Sequence, residues 1–354
     1  PWEINFNPAI KHGTTEERTI HSKIVNADYQ LRIYLPPDYN TKQQERLPSA
    51  YFQDGNDYIV LGSAINVIDN LLDSNKIRRL IAIFVQPNNR NEEYALSQRH
   101  LYREFFVKEL VPFIDSVYRT IKSPSDRLVL GDSYGGNIST LISFMHPDVF
   151  GNLGNHSGAF QTNNYEAAGV MLSPPKRAVR QYAVWGTYEM LYQPWRVYTD
   201  SLRANGYDYK WAEYPEGHSW GLWRGTLDDI LKFIFPSPAT GVSDETLSEK
   251  SIGSGSYKLR QNYPNPFNNS TKISYEISAP AYVSLDIYNL MGEKVTTIYS
   301  GNKDSGVHYS DFNGKDDKGS YLPSGIYFAR LNVFQGSNRS DRFYSVSNKM
   351  ILLK

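Results

Sequence analysis

Residues 127–136 read Arg-Leu-Val-Leu-Gly-Asp-Ser-Tyr-Gly-Gly, an apolar run followed by a glycine-flanked serine, Ser133. The apolar run predicts a buried strand, and the residues after the glycines predict a helix whose apolar face carries Ile138, Leu141, Ile142 and Met145. A G-x-S-x-G pattern between a strand and a helix is typical of a tight turn that presents a nucleophilic serine above a sheet. Small residues are needed on both sides of the serine because the turn brings backbones close together.

The sequence around this turn alternates between strand-like and helix-like patterns up to residue 235. Residues 80–85 are apolar on both faces, which is typical of a central parallel strand. Residues 101–121 have apolar side chains at helical spacing, in a helix that Pro112 is expected to kink or restart. Further strands are predicted at 29–35, 49–52, 181–185 and 209–214, with a closing helix over 222–235. This alternation predicts a layered α/β domain over residues 1–235.

The composition changes after residue 235. Residues 236–256 are rich in Ser, Gly, Glu and Pro and contain little that would enter a core, so they are predicted to form a flexible linker. Residues 257–354 lack helical periodicity, and their short strand-like runs are separated by clusters of Gly, Asn, Asp and Pro. This spacing predicts a small all-β, Ig-like sandwich as a second domain.

A serine hydroxyl becomes a good nucleophile only when a base takes its proton. The candidate base is His218, which follows the last predicted strand of the first domain and precedes the closing helix. A carboxylate must orient the imidazole, and in the chain order serine, acid, histidine we favour Glu189, since it lies just beyond the C-terminal end of a predicted strand. Asp200 and Asp208 are the alternative acids.

The remaining candidate site residues are oxyanion donors and substrate contacts. One predicted donor is the N–H of Tyr134, which follows the nucleophile, and the other is the N–H of Asn56, in the turn after an early strand. Aromatic residues crowd the loops around the site and would suit a planar substrate group, although any single one is more often a core residue. The predicted substrate contacts are Trp185, Tyr188, Trp220, Trp223 and His156.

Composition excludes several classes of protein. The chain has 354 residues with 37 basic and 37 acidic side chains, and neither predicted domain has the basic excess that attracts nucleic acid or an anionic membrane. No apolar run approaches the roughly 20 residues needed to span a bilayer. There is no cysteine, no His/Asp/Glu cluster at metal-ligand spacing and no phosphate-binding glycine loop, so no metal or cofactor is expected. The chain begins at Pro1 without a basic–apolar leader, and we expect a signal peptide that was removed or omitted.

Several motifs of the first domain occur together in one known family. They are Tyr-Leu-Pro-Pro-Asp-Tyr at 34–39, Tyr-Phe-Gln-Asp-Gly at 51–55, the helix sequence at 109–119, the serine turn at 131–136, Ser-Gly at 157–158 and Gly-His-Ser-Trp at 217–220. Together, residues 10–235 resemble the putative-esterase family of α/β-hydrolases, which includes enterochelin-type esterases, S-formylglutathione hydrolases, and feruloyl and acetylxylan esterases. The resemblance implies Ser133 as nucleophile, His218 as base and Glu189 as acid, with glutamate where aspartate is common.

The C-terminal segment resembles the sorting domain of the type IX secretion system. The matching residues are Gln-Asn-Tyr-Pro-Asn-Pro-Phe-Asn at 261–268, followed by motifs at 287–289, 292–295 and 324–327, and the final Lys-Met-Ile-Leu-Leu-Lys. The resemblance implies export by the type IX machinery of a Bacteroidota-like bacterium. A carbohydrate-binding or spacer sandwich is the alternative.

These features predict a secreted serine carboxylic-ester hydrolase that acts through an acyl-enzyme. The expected substrates are feruloyl or acetyl esters on plant cell-wall polysaccharide, and the alternatives are a siderophore lactone or a polyester. An alternative of a different class is a hydrolase-fold binding protein without activity.

Overall fold

The computed structural model describes residues 2–237, 257–334 and 342–354. These residues fall into two compact units. The first contains the residues up to Tyr192 and those from Asp208 to 237, and the second contains Gln193–Tyr207 and the residues from 257 onward. The predicted linker, 236–256, lies outside the described residues except for Pro236 and Ser237.

The first unit is built around eight strands and a series of short helices. The strands are Thr14–Ser22 (β1), Ala27–Leu35 (β2), Ser49–Phe52 (β3), Ile81–Val85 (β4), Arg127–Asp132 (β5), Asn152–His156 (β6), Arg180–Gly186 (β7) and Tyr209–Tyr214 (β8). The helices are Gly55–Val60 (α1), Ala64–Asp73 (α2), Arg90–Tyr94 (α3), Arg99–Phe105 (α4), Val111–Val117 (α5), Tyr134–Met145 (α6), Glu166–Leu172 (α7), Tyr192–Ala204 (α8, which groups with the second unit beyond Tyr192), Trp220–Arg224 (α9) and Leu227–Ile234 (α10).

The eight strands form one sheet in the order β1-β2-β4-β3-β5-β6-β7-β8. The pairs β1–β2 and β2–β4 are antiparallel, and the pairs among β3 to β8 are all parallel, so the predicted layered α/β domain is confirmed and its sheet is mainly parallel. In a parallel sheet the carboxyl ends of the strands meet at one edge, and the loops that follow β3, β5, β6, β7 and β8 therefore converge there.

The core of the first unit explains the apolar runs. All residues of β4 are buried, as the unbroken apolar run at 80–85 predicts. One face of the sheet is covered by α2 and α10, which bury Ile68, Leu71, Ile230 and Ile234 against strand residues. The helix predicted over residues 101–121 extends from Arg99 to Val117, so the prediction is wrong for residues 118–121. A π-helical turn at Phe106–Leu110 joins α4 to α5 just before Pro112.

Strand β6 is polar and was not predicted. Its sequence is Asn-Leu-Gly-Asn-His, and every residue in it is buried. The amides find partners inside the fold: Asn152 Nδ2 donates to the carbonyl of Arg127 at 3.0 Å, and Asn155 Nδ2 donates to Thr140 Oγ1 at 3.0 Å. Burial of these side chains is tolerated because their hydrogen bonds are made.

The second unit is an all-β sandwich packed on α8. Its strands are Lys258–Leu259 (β9), Thr271–Ile277 (β10), Ala281–Asn289 (β11), Lys294–Lys303 (β12), Gly306–Phe312 (β13), Gly325–Phe334 (β14) and Arg342–Leu352 (β15). They form two antiparallel sheets, β13-β10-β9 and β12-β11-β14-β15, which share one core. Burial alternates along β10, as expected for a strand with one face toward that core.

Across the described ranges of both units, every helix is too short or too polar to cross a bilayer.

Candidate active site

Ser133 lies at the turn between β5 and α6, as the glycine pattern predicts. Its backbone has φ 51° and ψ −118°, a conformation that is costly for a residue with a Cβ atom. The turn is held by a hydrogen bond from the N–H of Ser133 to the carbonyl of His156 at 2.9 Å, while the N–H of Ala159 donates to the Ser133 carbonyl at 3.0 Å. A Cβ atom at Gly131 would lie 2.4 Å from the carbonyl carbon of Gly135, so this position requires glycine. The geometry is that of a nucleophile elbow.

The Ser133 side chain is half-buried, and within the part of the chain that the structure describes its Oγ atom has no hydrogen-bond partner within 3.5 Å. Hydrogen bonds between a nucleophile and its base are often long in unliganded enzymes and shorten when substrate binds.

His218 and Glu189 form the acid–base pair of the site. His218, in the loop between β8 and α9, has its Nδ1 atom 2.7 Å from Glu189 Oε2. A carboxylate can only accept a hydrogen bond, so the Nδ1 atom carries a hydrogen, and in the neutral ring the Nε2 atom is then the acceptor. The Glu189 side chain is 2% exposed and the His218 side chain 36% exposed. The pair therefore joins a buried carboxylate to an imidazole that solvent and substrate can reach.

Glu189 is held by its second carboxylate oxygen. Its Oε1 atom accepts the N–H of Gly186 at the end of β7 and the hydroxyl of Ser157, which lies 2.6 Å away. A Cβ atom at Gly186 would lie 2.1 Å from the carbonyl oxygen of Glu216, so the tight approach of these two loops depends on glycine.

The two alternative acids lie elsewhere in the fold. Asp208 is 67% exposed at its side chain and pairs with Arg180 at 3.0 Å. Asp200 is buried in the second unit, where it pairs with Arg330 at 3.1 Å. Of the three predicted candidates, Glu189 is the one that contacts His218 in the described residues.

Trp223, on α9, packs against the pair. Its ring meets the His218 ring edge-on, with the centroids 5.0 Å apart and the planes at 90°. Its indole N–H donates to Ser157 Oγ at 3.1 Å, and the residue is only 5% exposed. Trp223 therefore supports the histidine and presents almost no surface to a substrate.

Two predicted substrate contacts are wrong because they are fully buried. Trp185 lies in β7, has no exposed surface and stacks on Trp211 with ring centroids 5.1 Å apart. His156 also has no exposed surface: its Nδ1 atom lies 2.8 Å from the hydroxyl of Tyr58, and its Nε2 atom lies 3.2 Å from Thr226 Oγ1. Burial lowers the pKa of His156 to about 3, so the ring is neutral.

Two aromatic candidates remain open to solvent near the pair. Tyr188, next to Glu189, is 76% exposed. Trp220 is half-buried and meets the rings of Tyr58 and Trp223 edge-on, with centroids 5.1 Å away in both cases.

The two predicted oxyanion donors differ in their surroundings. Tyr134 is the first residue of α6, so its N–H lies at a helix N-terminus, where partial positive charge favours an anion. Asn56 is exposed at the start of α1, and its N–H donates to Gln86 Oε1 at 3.3 Å. A substrate oxygen would have to displace Gln86 to use it.

A buried charge cluster beneath the elbow was not foreseen. Arg90 Nη2 lies 2.7 Å from Asp54 Oδ2 and 3.5 Å from Asp132 Oδ2, and the guanidinium carbon lies 5.8 Å from the Tyr134 ring centroid. Burial, reinforced by the nearby Asp54 carboxylate, raises the pKa of Asp132 to about 8. The available sequence signal was two aspartates inside motifs already singled out: Asp54, two residues after β3, and Asp132, the last residue of β5.

Comparison with known proteins places these features in a family. The profile of the family described as putative esterase matches residues 22–234, more than half of the chain, and that of the FlgD Ig-like domain matches residues 262–337. The chain is 29% identical over 240 residues to the uncharacterized protein YjcH of Bacillus subtilis, covering 63% of this chain and 98% of YjcH.

Two further matches carry names that describe an activity. An endo-1,4-beta-xylanase/feruloyl esterase of Xylanibacter ruminicola is 29% identical over 164 residues, covering 43% of this chain and 23% of that protein. A solved structure of a ferulic acid esterase superposes with a TM-score of 0.57 at 19% identity, covering 63% of this chain and 98% of that one. With its mainly parallel sheet and flanking helices, the first unit has the α/β-hydrolase fold. The chain belongs to the putative-esterase family and is a carboxylic ester hydrolase.

Proposed function

We propose that this hydrolase acts through an acyl-enzyme on Ser133, with His218 as general base and Glu189 as the acid that orients it. The observation that carries this proposal is the 2.7 Å contact between His218 Nδ1 and the buried Glu189 carboxylate, at the strand edge where the elbow presents Ser133. A serine, a histidine and a carboxylate in these positions suit acyl transfer.

In the first half-reaction, Ser133 Oγ attacks the ester carbonyl carbon and His218 Nε2 takes the hydroxyl proton. Negative charge develops on the carbonyl oxygen, and the N–H of Tyr134 at the N-terminus of α6 stabilises it. The carbon–oxygen bond to the alcohol then breaks, and the alcohol leaves with the proton from His218. We assign Tyr134 alone as a donor, since the N–H of Asn56 is engaged by Gln86.

In the second half-reaction, water attacks the acyl group on Ser133. His218 takes a proton from that water and returns it to Ser133 Oγ as the acyl bond breaks, which releases the carboxylic acid. Glu189 accepts the hydrogen of His218 Nδ1, and its carboxylate stabilises the imidazolium that forms twice in the cycle.

The proposed substrates are feruloyl or acetyl esters on plant cell-wall polysaccharide. The exposed ring of Tyr188 and the half-buried ring of Trp220 support this choice, because aromatic rings that solvent reaches beside the acid–base pair suit a planar acyl group or a sugar face. The names of the Xylanibacter relative and of the structural neighbour point the same way.

The test compares kcat/KM for methyl ferulate, acetylated xylan, a catecholate trilactone and a soluble polyester, with Ser133→Ala as the control for each. We expect methyl ferulate or acetylated xylan to be preferred by at least about tenfold. A preference for the trilactone or the polyester would overturn the substrate class. Ligand binding that Ser133→Ala leaves unchanged, with no turnover of any ester, would indicate a binding protein.

We also propose that residues 257–354 are a sorting domain for the type IX secretion machinery, so that the enzyme is secreted or held at the cell surface. The sequence motifs support this, and the FlgD Ig-like match agrees with an Ig-like fold. The test expresses the full chain behind a signal peptide in a bacterium with this machinery, beside a chain that ends at residue 256. Export of the full chain alone is expected, and equal export of both would overturn the proposal.

A further inference from the structure

Ser157 occupies a buried position between the acid of the site and a tryptophan. It follows β6 directly, has φ 50° and has no exposed surface. Its hydroxyl lies 2.6 Å from Glu189 Oε1 and 3.1 Å from Trp223 Nε1. An indole N–H can only donate and a carboxylate can only accept. The Ser157 hydroxyl therefore accepts from Trp223 and gives its single proton to Glu189.

These bonds divide the Glu189 carboxylate into two roles. Its Oε1 atom accepts from Ser157 and from the N–H of Gly186, and its Oε2 atom faces His218. With Oε1 fixed by two donors, rotation about the last side-chain bond is restricted and Oε2 stays directed at the imidazole.

Trp223 closes the arrangement into a ring of contacts. The Trp223 N–H donates to Ser157, the Ser157 hydroxyl donates to Glu189, and Glu189 accepts from His218. The His218 ring in turn packs edge-on against Trp223, with ring centroids 5.0 Å apart. The four residues come from four separate segments of the chain: the loops after β6, β7 and β8, and helix α9.

We propose that Ser157 and Trp223 are positioning residues that hold the acid–base pair in its reactive geometry. This inference rests on the proposed function, because it assumes that His218 and Glu189 serve Ser133. Ser157 has no exposed surface and Trp223 is 5% exposed, so neither is expected to bind substrate. Their loss should therefore slow the chemical steps and leave substrate binding nearly unchanged.

The experiment measures kcat and KM for 4-nitrophenyl acetate, and the rate constant for labelling of Ser133 by a fluorophosphonate, in matched variants. Ser157→Ala should lower kcat and the labelling rate by about 10- to 100-fold, the range expected when a carboxylate loses one hydrogen bond, with KM within about twofold. Ser157→Cys keeps a weaker hydrogen-bond donor, so its kcat and labelling rate should lie between those of the wild type and those of Ser157→Ala. Trp223→Phe keeps an aromatic ring but removes the indole N–H, and it should lower kcat and the labelling rate by about three- to tenfold.

Double variants distinguish a positioning role from a general loss of structure, because the effects of residues that act through one another on kcat do not add. In a Glu189→Ala background, Ser157→Ala should cost less than about twofold, because the carboxylate it acts through is gone. Trp223→Phe should add little to Ser157→Ala for the same reason. The control is Ser139→Ala, which truncates a buried serine of α6 whose hydroxyl has no partner among the described residues, and it should leave kcat unchanged.

Two results would overturn the proposal. One is a wild-type kcat in Ser157→Ala, and the other is an equal fall in kcat when Ser157→Ala is made in the wild type and in the Glu189→Ala background. If Ser157→Ala does not fold, Trp223→Phe and Ser157→Cys decide the question by the same two criteria. Failure of the proposed function looks different: in that case the fluorophosphonate would not label Ser133 in the wild-type enzyme.

Discussion

The Nδ1 atom of His218 lies 2.7 Å from Oε2 of Glu189, although the two residues come from loops after different strands. The carboxylate is 2% exposed and is anchored at its other oxygen by Ser157 and Gly186. Hydrogen bonds from three residues therefore fix the carboxylate of the acid–base pair, and a fixed polar group avoids the cost of reorganisation during a reaction.

Replacement of Glu189 tests the identity of the acid. Glu189→Gln keeps the size of the side chain but removes the charge that stabilises the imidazolium, so kcat should fall by about 10⁴-fold, as serine proteases show for the equivalent change. The control is Asp208→Asn, which alters an exposed alternative acid and should retain wild-type kcat. Steady-state kinetics on an aryl acetate measure kcat for both variants. A large fall in kcat in Asp208→Asn alone would assign the role of the acid to Asp208.

Gly186 should tolerate no side chain. In Gly186→Ala the new Cβ atom would meet the Glu216 carbonyl oxygen at 2.1 Å, forcing apart the loops that carry Glu189 and His218. We expect a loss of about 1–3 kcal/mol in unfolding free energy together with a fall in kcat. Gly217→Ala is the control, since its Cβ atom would meet nothing within 4 Å. Denaturant unfolding and kinetics measure both effects, and equal behaviour of the two variants would contradict the packing account.

Asp132 should make the wild-type enzyme less stable as pH rises. Because burial and Asp54 raise its pKa to about 8, the folded state holds a proton that the unfolded chain releases near pH 4. Between about pH 4 and pH 8 the wild type therefore loses up to about 1.4 kcal/mol per pH unit relative to Asp132→Asn, and the difference levels off above pH 8. Urea unfolding at pH 5, 7 and 9 measures this, and a difference that is constant across those values would refute the assignment.

His156 should have the opposite dependence on pH. Its pKa is lowered to about 3 by burial, so the unfolded chain binds a proton near pH 6.5 that the folded protein excludes. As pH falls from about 6.5 toward 3, the wild type should lose up to about 1.4 kcal/mol per pH unit relative to His156→Gln. A pH-independent gap between wild type and His156→Gln would show that His156 is not buried in its neutral form.

Local patterns predicted the elbow and the sheet because those features depend on short stretches of sequence. The run before Ser133 forms β5, and the glycines around it are required by backbone contacts such as that between Gly131 and Gly135. The strands over residues 49–52 and 209–214 agree with β3 and β8 for a similar reason.

Features that depend on the surroundings of a side chain could not be predicted. Trp185 and His156 lie on interior strands of the sheet and have no exposed surface, so proximity in sequence to the site says nothing about access to it. The polar strand β6 does not fit any hydrophobic pattern. Ser157 and Arg90 contact partners more than 30 residues away in the chain, and the local sequence around each residue does not identify that partner.

The central claim is that Ser133 is the nucleophile of this esterase, and the most direct test is the rate of 4-nitrophenyl acetate hydrolysis by the wild type and by Ser133→Ala under identical conditions. The proposed mechanism predicts a loss of about 10⁴-fold or more in kcat for the variant, because the acyl-enzyme cannot form. Equal rates for the two proteins would contradict it and reduce the elbow to a structural turn.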